Sequence, residues 1–272
     1  MTTPSKAQIV AILGAIALLV LLLFARKTGA PESTKKSEVA EVESFSMSRY
    51  IDSTKKTIDA ALLTLINKQE HTTGDSVVAF DSLSKLWNAA RQMGVDAYYS
   101  GKAAAMKNTA ANWNKAAGKF YGASRFAKDA SVKYFIDNAI ACYTKGIELD
   151  STNLDAKVSL AVCYVQGTQE PMKGIMLLRN VAAKDSTNIN AQLNLGLFAV
   201  QSGQYDKAVE RFNRILRIDP KYTEAYLYLG QTFANKGDKK KAIEELEKYK
   251  KLSNDSVVSA EVTQYINQLK NS

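Results

Sequence analysis

The sequence predicts an all-α protein built as a solenoid of helical repeats. Two observations support this fold class. The first is a period of 34 residues, at which four positions recur: Leu195 as Leu229, Gly196 as Gly230, Gly203 as Gly237 and Ala208 as Ala242. The second is the kind of residue that recurs, since small and turn-forming residues stand where two packed helices would need them.

Each of these residue types has a physical role in a pair of antiparallel helices. Gly196 and Ala208 are small because the two helices would cross closely there, and a larger side chain would push them apart. Gly203 stands where the first helix must end, and glycine accepts the left-handed conformation of a helix cap. Pro220 closes the second helix, because proline fits only the first turn of the next one.

The stretch from Ser186 to Tyr222 resembles the tetratricopeptide repeat (TPR) family. It carries the small and turn residues of the pattern W-x2-L-G-x2-Y…A-x3-F…P, with Gln192 in place of the tryptophan and Ala199 in place of the tyrosine. The resemblance implies a right-handed superhelical α-solenoid that binds other proteins. The blocks EPMKGIMLLRNV and QSGQYDKAVERF also resemble a bacterial family of single-pass, membrane-anchored TPR proteins.

Five repeats are expected over residues 77–256, followed by a capping helix over 257–270 with a polar outer face. In the first repeat, Asp96 stands where the small alanine belongs. The second holds nine extra residues around Arg125–Tyr134, which we expect to lengthen the turn between its two helices. The expected repeat boundaries are 77–110, 111–153, 154–188, 189–222 and 223–256.

The N-terminal part of the chain predicts a membrane anchor. After a short tail over residues 1–6, residues 7–25 carry no charge and are almost wholly apolar. As a helix they would span roughly 28 Å, close to the thickness of the bilayer core. A cleaved signal peptide is the rival interpretation, but only Lys6 precedes the apolar run and Arg26-Lys27 follows it directly.

The residues after this segment predict which side of the membrane the repeats face. Arg26, Lys27, Lys35 and Lys36 follow the apolar run and only Lys6 precedes it, which favours the cytoplasmic side of a bacterial inner membrane. The periplasmic side stays open, because the free α-amino group offsets part of this asymmetry. Residues 26–43 predict a flexible tether, and 44–70 predict one amphipathic helix that docks on the N-terminal end of the solenoid.

The composition gives no indication of an enzyme. The chain of 272 residues has a formal net charge of +9, one histidine and two cysteines. His71 lies in a polar break between predicted helices, so we expect it to be a solvated loop residue. We expect Cys142 and Cys163 to be buried free thiols. The sequence contains no phosphate loop, nucleophile elbow or metal-ligand spacing, so we expect no catalytic residue, no metal and no cofactor.

The TPR resemblance implies that the first helix of each repeat lines a concave groove that holds a protein partner. The expected groove is basic near its front and apolar with amide groups further along, which suits a peptide or helix with apolar anchors. A clamp for chaperone C-termini is not expected, because only Lys115 of the five aligned positions matches. The expected groove residues are Lys85, Lys115, Lys119, Val158, Val162, Asn190, Leu193, Asn194, Leu197, Gln201, Leu227, Tyr228, Gln231 and Asn235.

These observations favour a membrane-anchored scaffold or adaptor that binds protein partners, and they leave the partner and the oligomeric state open. An assembly or secretion-associated factor on the envelope side is the alternative. Binding of nucleic acid or anionic lipid through the lysines of residues 236–251 is less favoured. Those lysines alternate with Glu244, Glu245 and Glu247, so pairing on a solvated helix explains them better.

Overall fold

A computed structural model describes residues 45–72, 76–128 and 130–271. All regular structure in these ranges is helical, as the sequence predicts. The thirteen helices are α1 (Met47–Lys55), α2 (Ala60–Thr72), α3 (Val77–Ala89), α4 (Met93–Lys107), α5 (Ala110–Ser124), α6 (Ala130–Leu149), α7 (Leu154–Gly167), α8 (Pro171–Lys184), α9 (Ile189–Gln201), α10 (Tyr205–Ile218), α11 (Thr223–Lys236), α12 (Lys239–Leu252) and α13 (Ser256–Asn271).

Ten of these helices form five consecutive hairpins, which we number as repeats one to five: α3/α4, α5/α6, α7/α8, α9/α10 and α11/α12. In each hairpin the two helices pack against each other, and the second helix also packs against the first helix of the next repeat. We call the first helix of each pair the A helix and the second the B helix. This arrangement buries a series of apolar clusters along the stack, the sign of a solenoid.

Left-handed backbone forms the turn inside three of the five hairpins, those of repeats one, four and five. Gly203 has a φ of 71° and Gly237 a φ of 87°, which confirms the helix-ending role expected for both glycines. Asp96 of the first repeat aligns with Ala208 of the fourth. Gly203 lies five residues before Ala208, so its equivalent in the first repeat lies five residues before Asp96. That residue is Arg91, which adopts the same left-handed region with a φ of 58°.

The turns between repeats two, three and four share the sequence Asp-Ser-Thr-Asn. The Asp185 carboxylate accepts hydrogen bonds from the backbone N–H and the hydroxyl of Thr187, at 2.9 and 2.7 Å, and these bonds lower the pKa of Asp185. Asn188 then caps α9 by accepting a hydrogen bond from the backbone N–H of Ala191. The turn that begins at Asp150 repeats these contacts, so one short motif starts two successive A helices.

The helix crossings are as close as the small residues predict. A β-carbon added at Gly196 would lie 2.5 Å from Cε1 of Phe212, and both Ala208 and Phe212 are fully buried. In the third repeat Gly174 takes the place of the alanine, and an added β-carbon would overlap the backbone carbonyl of Ala161. The small residues therefore set the separation between the A and B helices.

Gln192, which replaces the tryptophan of the TPR pattern, is fully buried, and its amide nitrogen and oxygen each have a hydrogen-bond partner. Its amide nitrogen donates to the carbonyl of Ser186 at 3.0 Å, and its amide oxygen accepts from Arg211 at 2.9 Å. A polar side chain can replace the large aromatic one here because both of its polar atoms have a partner. The pair connects α9 to α10.

Residues 44–70 do not form the single helix that we expected. The helix α1 ends at Lys55 and α2 begins at Ala60, because Asp59 starts a new helix by accepting hydrogen bonds from the backbone N–H groups of Ala61 and Leu62. His71 lies exposed in the last turn of α2, not in a loop.

The extra residues of the second repeat mainly lengthen a helix, where we expected a longer turn. The B helix α6 has 20 residues, whereas α8, α10 and α12 have 14 each. The added N-terminal part of α6 carries Tyr134 and Phe135. These rings pack with Phe45 at 4.7 and 5.9 Å, so the added helical turns form a docking surface for the segment that leads into α1.

The predictions for residues 1–43, including the membrane anchor over 7–25 and the tether over 26–43, lie outside the described residues. Among the helices that the structure does describe, none is both long and apolar enough to span a bilayer.

Candidate protein-binding face

The candidate site is the side of the solenoid where the A helices of successive repeats meet. The helix α7 contacts both α5 before it and α9 after it. We call the surface carrying the expected groove residues the groove face. In the described part of the chain, expected groove residues line three clefts, one near the middle of this face and one at each end.

The central cleft has a volume of about 240 Å³ and brings together four expected residues from two A helices. It is lined by Val158 and Val162 of α7 and Asn190 and Asn194 of α9, together with Tyr121, Tyr143, Asp155 and Ser159. The two tyrosines were not among the expected groove residues. Tyr143 comes from a B helix, so only the packing of α6 against α7 brings it to this face.

The side chains of the central cleft differ in how far they are available to a ligand. Val158 is buried and belongs to the hydrophobic core, whereas Val162 is half-buried and Asn190 is exposed. The amide of Asn194 donates to the backbone carbonyl of Asn190 at 2.9 Å, which holds it in place on α9. The cleft therefore offers a small apolar floor with amide groups at its rim.

Burial raises the pKa of both tyrosines of the central cleft above its usual value, with a smaller opposing effect on Tyr143 from its hydrogen bond with Ser159. Both hydroxyls therefore stay protonated at neutral pH. The Tyr121 hydroxyl donates to the side-chain oxygen of Gln166 at 2.6 Å. The hydroxyls of Tyr121 and Tyr143 therefore act as neutral hydrogen-bonding groups and not as bases.

The C-terminal cleft, of about 460 Å³, lies between α11 and α13. Leu227, Gln231 and Asn235 line it on one side, as expected from the sequence. The other side is supplied by the capping helix, which we expected only to close the stack: Val258, Glu261, Val262 and Tyr265. The capping helix thus extends the groove face beyond the fifth repeat.

The remaining expected residues of repeats four and five contribute mainly to packing. Leu193, Leu197 and Tyr228 are half-buried against the core cluster that contains Phe212, and Tyr228 stacks on the Phe212 ring at 5.4 Å. Gln201 is exposed and lies outside the three clefts of the groove face.

Two of the three lysines expected at the front of the groove face are exposed. Lys85 is exposed and lines the N-terminal cleft of about 430 Å³ between α2 and α3, beside Leu65 and Leu86. Lys115 is exposed but lies outside the three clefts.

Lys119 is occupied by an internal ion pair. Its ammonium lies 2.6 Å from the carboxylate of Asp96 and 2.9 Å from the hydroxyl of Ser84, which in turn donates to Asp96 at 2.5 Å. Asp96, the residue that replaces a small alanine, is only 5% exposed. A buried carboxylate needs a counter-charge, and Lys119 supplies it instead of facing a ligand.

The described residues hold no group of three or more His, Cys, Asp or Glu side chains placed to bind a metal ion. Cys142 and Cys163 are buried free thiols, as predicted. Desolvation raises their pKa values to about 11 and about 12, so both stay as unreactive thiols at neutral pH.

Two lysines of α12 pair with glutamates of the same helix, as the spacing predicts. Lys248 lies 3.2 Å from Glu244 and 2.9 Å from Glu245, and Lys250 lies 3.4 Å from Glu247. Most of these side chains are at least a quarter exposed, which is typical of a solvated helix surface and not of an anion-binding site.

Residues 199–260 match the family model for the tetratricopeptide repeat. Among curated proteins, the Superkiller complex protein 3 of Homo sapiens is 30% identical over 126 residues, or 45% of this chain, and the Superkiller protein 3 of Schizosaccharomyces pombe is 27% identical over 105 residues. This chain spans 8% of the length of each of these relatives, so the similarity concerns a few repeats and not a whole protein.

Solved structures support the fold. A MamA fragment from Desulfovibrio magneticus RS-1 superposes with a TM-score of 0.52 at 19% identity, covering 68% of this chain and 100% of that one. The C-terminal part of a TPR repeat-containing protein from Cytophaga hutchinsonii gives 0.51 at 16% identity, covering 82% and 95%. Together with the helix pairs, these matches show a tetratricopeptide-type solenoid.

Proposed function

We propose that this chain is a scaffold that binds a segment of a partner protein on its groove face. The observation that supports the proposal best is the central cleft, where two neighbouring A helices place Val162, Asn190 and Asn194 around one opening. Stacked helical repeats form an extended concave surface that runs over several repeats, and repeat proteins bind peptides on such a surface.

The chemistry of the groove face suits a peptide or a helix with apolar anchors. The apolar floors of the central and C-terminal clefts can bury side chains of the partner. The amides of Asn190, Gln231 and Asn235 can hydrogen-bond to its backbone. The described titratable groups in the clefts lack the paired acid and base that a catalytic site needs, so binding is the function that this face supports.

Site-specific photo-crosslinking in cells tests this proposal. A photoreactive phenylalanine analogue at position 190 lies at the rim of the central cleft, and one at position 267 lies on the exposed side of α13, outside all the clefts. Both replace an exposed asparagine. We expect protein adducts from position 190 that are absent from position 267. Equal adducts from both positions would show that the groove face is not the binding surface.

We also propose that residues 7–25 anchor the scaffold in a membrane. The support is the uncharged apolar run and the basic residues directly after it. The full chain should then stay with membranes after carbonate extraction, and its intact mass should include residues 1–25. A mature chain beginning after Ala25 or Ala30 would identify the segment as a signal peptide.

The basic residues after the apolar run favour a scaffold that recruits partners to the cytoplasmic face of a bacterial inner membrane. On the periplasmic side the same groove face would serve the assembly or secretion of envelope proteins. A protease-protection assay on spheroplasts, with a tag after Ser272, separates these two roles. Protection supports the cytoplasmic side, and digestion from outside supports the envelope side.

A further inference from the structure

Repeat four lacks an aromatic residue that repeats three and five both carry at one equivalent position of their A helices. Aligning Ala161, Gly196 and Gly230 of the A helices places Tyr164, Ala199 and Phe233 at the same site, so an aromatic residue is missing only from the fourth repeat. A lysine that follows each of these positions is present in all three repeats, as Lys173, Lys207 and Lys241.

In the third and fifth repeats the aromatic residue and the lysine contact each other. Tyr164 and Phe233 each pack against a core cluster that includes the preceding repeat. The ammonium of Lys173 lies 5.8 Å from the centre of the Tyr164 ring, and that of Lys241 lies 5.4 Å from the centre of the Phe233 ring. Each ring thus fills the space beside the preceding B helix, and a cation covers it.

In the fourth repeat the equivalent space is an open cleft of about 360 Å³ between α8, α9 and α10, which we call the Ala199 cleft. Phe198 replaces Cys163 and Thr232 of the neighbouring repeats and takes up part of the room, but the cleft remains. Lys207 stands at this cleft, where no aromatic residue occupies the position of Tyr164 or Phe233, and its ammonium donates to the side-chain oxygen of Gln204 at 2.6 Å.

The contact that closes the next repeat junction is also missing here. Between repeats four and five, Lys236 forms an ion pair with Asp206 across the junction. The corresponding residues at the Ala199 cleft are Ser202 and Met172, which cannot form an ion pair. Met172 is instead 57% exposed on the wall of the cleft. A flexible, exposed thioether of this kind is common on binding surfaces.

We propose that the Ala199 cleft receives an aromatic side chain of a partner protein, inserted where the neighbouring repeats place their own Tyr164 and Phe233. The apolar lining, which includes Ile175, Leu195 and Phe198, matches a ring, and Lys207 is placed to cover it as its equivalents do. None of the residues that line this cleft lines the clefts of the groove face, so this site is independent of the function proposed above.

The charges around the cleft specify the sequence next to that aromatic residue. Arg179, Lys207 and Arg211 line the cleft, and the single acidic residue there, Glu210, lies 3.5 Å from Arg214. The rim is therefore cationic. The partner segment that fits carries a Tyr or Phe flanked by Asp or Glu residues.

The test uses the full chain and a fluorescently labelled peptide, Glu-Glu-Tyr-Glu-Glu, whose binding is followed by fluorescence anisotropy. Substitution of Ala199 by tyrosine, A199Y, fills the cleft with the side chain that repeat three carries at this site. We expect it to weaken peptide binding by about tenfold or more, since it removes both the space for the ring and the cation above it. The matched control A260Y adds the same ring at an exposed position of α13 and should leave binding unchanged.

Two further comparisons keep the test decisive if A199Y folds poorly. The exposed substitution Lys207→Glu should weaken binding of the acidic peptide without a loss of helical circular dichroism. The peptides Glu-Glu-Ala-Glu-Glu and Lys-Lys-Tyr-Lys-Lys should both bind less tightly than the tyrosine peptide with acidic flanks. Absence of binding by that peptide, or equal binding by the alanine peptide or by A199Y, would overturn the proposal.

Discussion

Gly196 determines how closely α9 and α10 approach each other. A β-carbon there would lie 2.5 Å from the ring of Phe212, which is fully buried, so the ring or the helix would have to shift. We expect Gly196→Ala to lower the free energy of unfolding by about 1–3 kcal/mol through overpacking.

Gly122 in α5 is the matched control, because a β-carbon there would meet no atom within 4 Å. The same substitution should stabilise the chain at this position by roughly 0.5–1 kcal/mol, since alanine favours the helix more than glycine does. Urea denaturation followed by circular dichroism measures both. Changes of the same sign at the two positions would contradict this account of the crossing.

Arg91 adopts the left-handed backbone conformation of Gly203 and Gly237, although this conformation is unfavourable for arginine. Its φ of 58° lies in the left-handed region, where the β-carbon of a non-glycine residue costs about 1 kcal/mol or more. We therefore expect Arg91→Gly to raise the free energy of unfolding by about 1 kcal/mol, and Gly237→Ala to lower it by a similar amount. Thermal denaturation of the two variants, which should shift in opposite directions, is the measurement. A lower stability of Arg91→Gly would show that the arginine side chain makes a stabilising contact that outweighs the strain.

These residues also show what sequence can predict at this scale. Gly203 and Gly237 could be predicted as left-handed, because glycine itself marks the conformation. Arg91 could not, since its side chain gives no such sign and only the alignment of Asp96 with Ala208 places it there. Lys119 was expected to face a ligand because its partner Asp96 lies on another helix, and the ion pair exists only after packing.

At the scale of helices, the ion pair between α4 and α5 holds the first two repeats together. Lys119→Met should destabilise the chain by roughly 3–5 kcal/mol, because it leaves the carboxylate of Asp96 buried without a counter-charge. Asp96→Ala restores the usual small residue of the repeat but leaves the ammonium of Lys119, a quarter exposed, without its main partner, so we expect a smaller loss.

The double variant Asp96→Ala/Lys119→Met should be more stable than Lys119→Met alone, since it removes both charges from the junction. Chemical denaturation of the two single variants and the double variant forms a complete thermodynamic cycle. If the losses of the single variants simply added up in the double variant, the two groups would not be energetically coupled and the ion pair would have no structural role.

Helix existence was easier to predict than helix length. The apolar spacing and the caps indicated helices throughout residues 44–270, and the described part of the chain has them. The longer spacing between Gly118 and Ala139 shows that the second repeat has nine extra residues, but it does not show whether they form a turn or a helix. They became mostly helix because Tyr134 and Phe135 bury their rings against Phe45 and Tyr50, a contact between segments that are far apart in sequence.

At the scale of the whole stack, surfaces were harder to predict than the repeat. The TPR resemblance located the residues of the central cleft in α7 and α9, since the position within the repeat determines which way a side chain faces. It could not show that Tyr143 or the capping helix would line the groove face. It also identified Ala199 as a missing aromatic residue, but only packing shows that the space stays open, because Phe198 could have filled it.

A stack in which each repeat contacts only its neighbours should lose stability locally when one end is removed. The helices α12 and α13 share one core cluster. It consists of Leu246 and Tyr249 of α12 and Val262 and Ile266 of α13. A chain that ends at Ser253 exposes the α12 half of this cluster to water. We expect faster amide hydrogen exchange in α11 and α12, and unchanged exchange in α4, α5 and α6, whose own core cluster does not include α13.

The matched control for this truncation is Gln264→Ala, which changes an exposed residue of α13 and should leave exchange unaltered along the chain. If the truncated chain instead lost protection equally in α4–α6 and in α11–α12, the solenoid would unfold as a single cooperative unit. Repeat-by-repeat stability would then be wrong for this protein. The local result would mean that a partner bound on the C-terminal cleft, which α13 completes, stabilises the last repeats without changing the first ones.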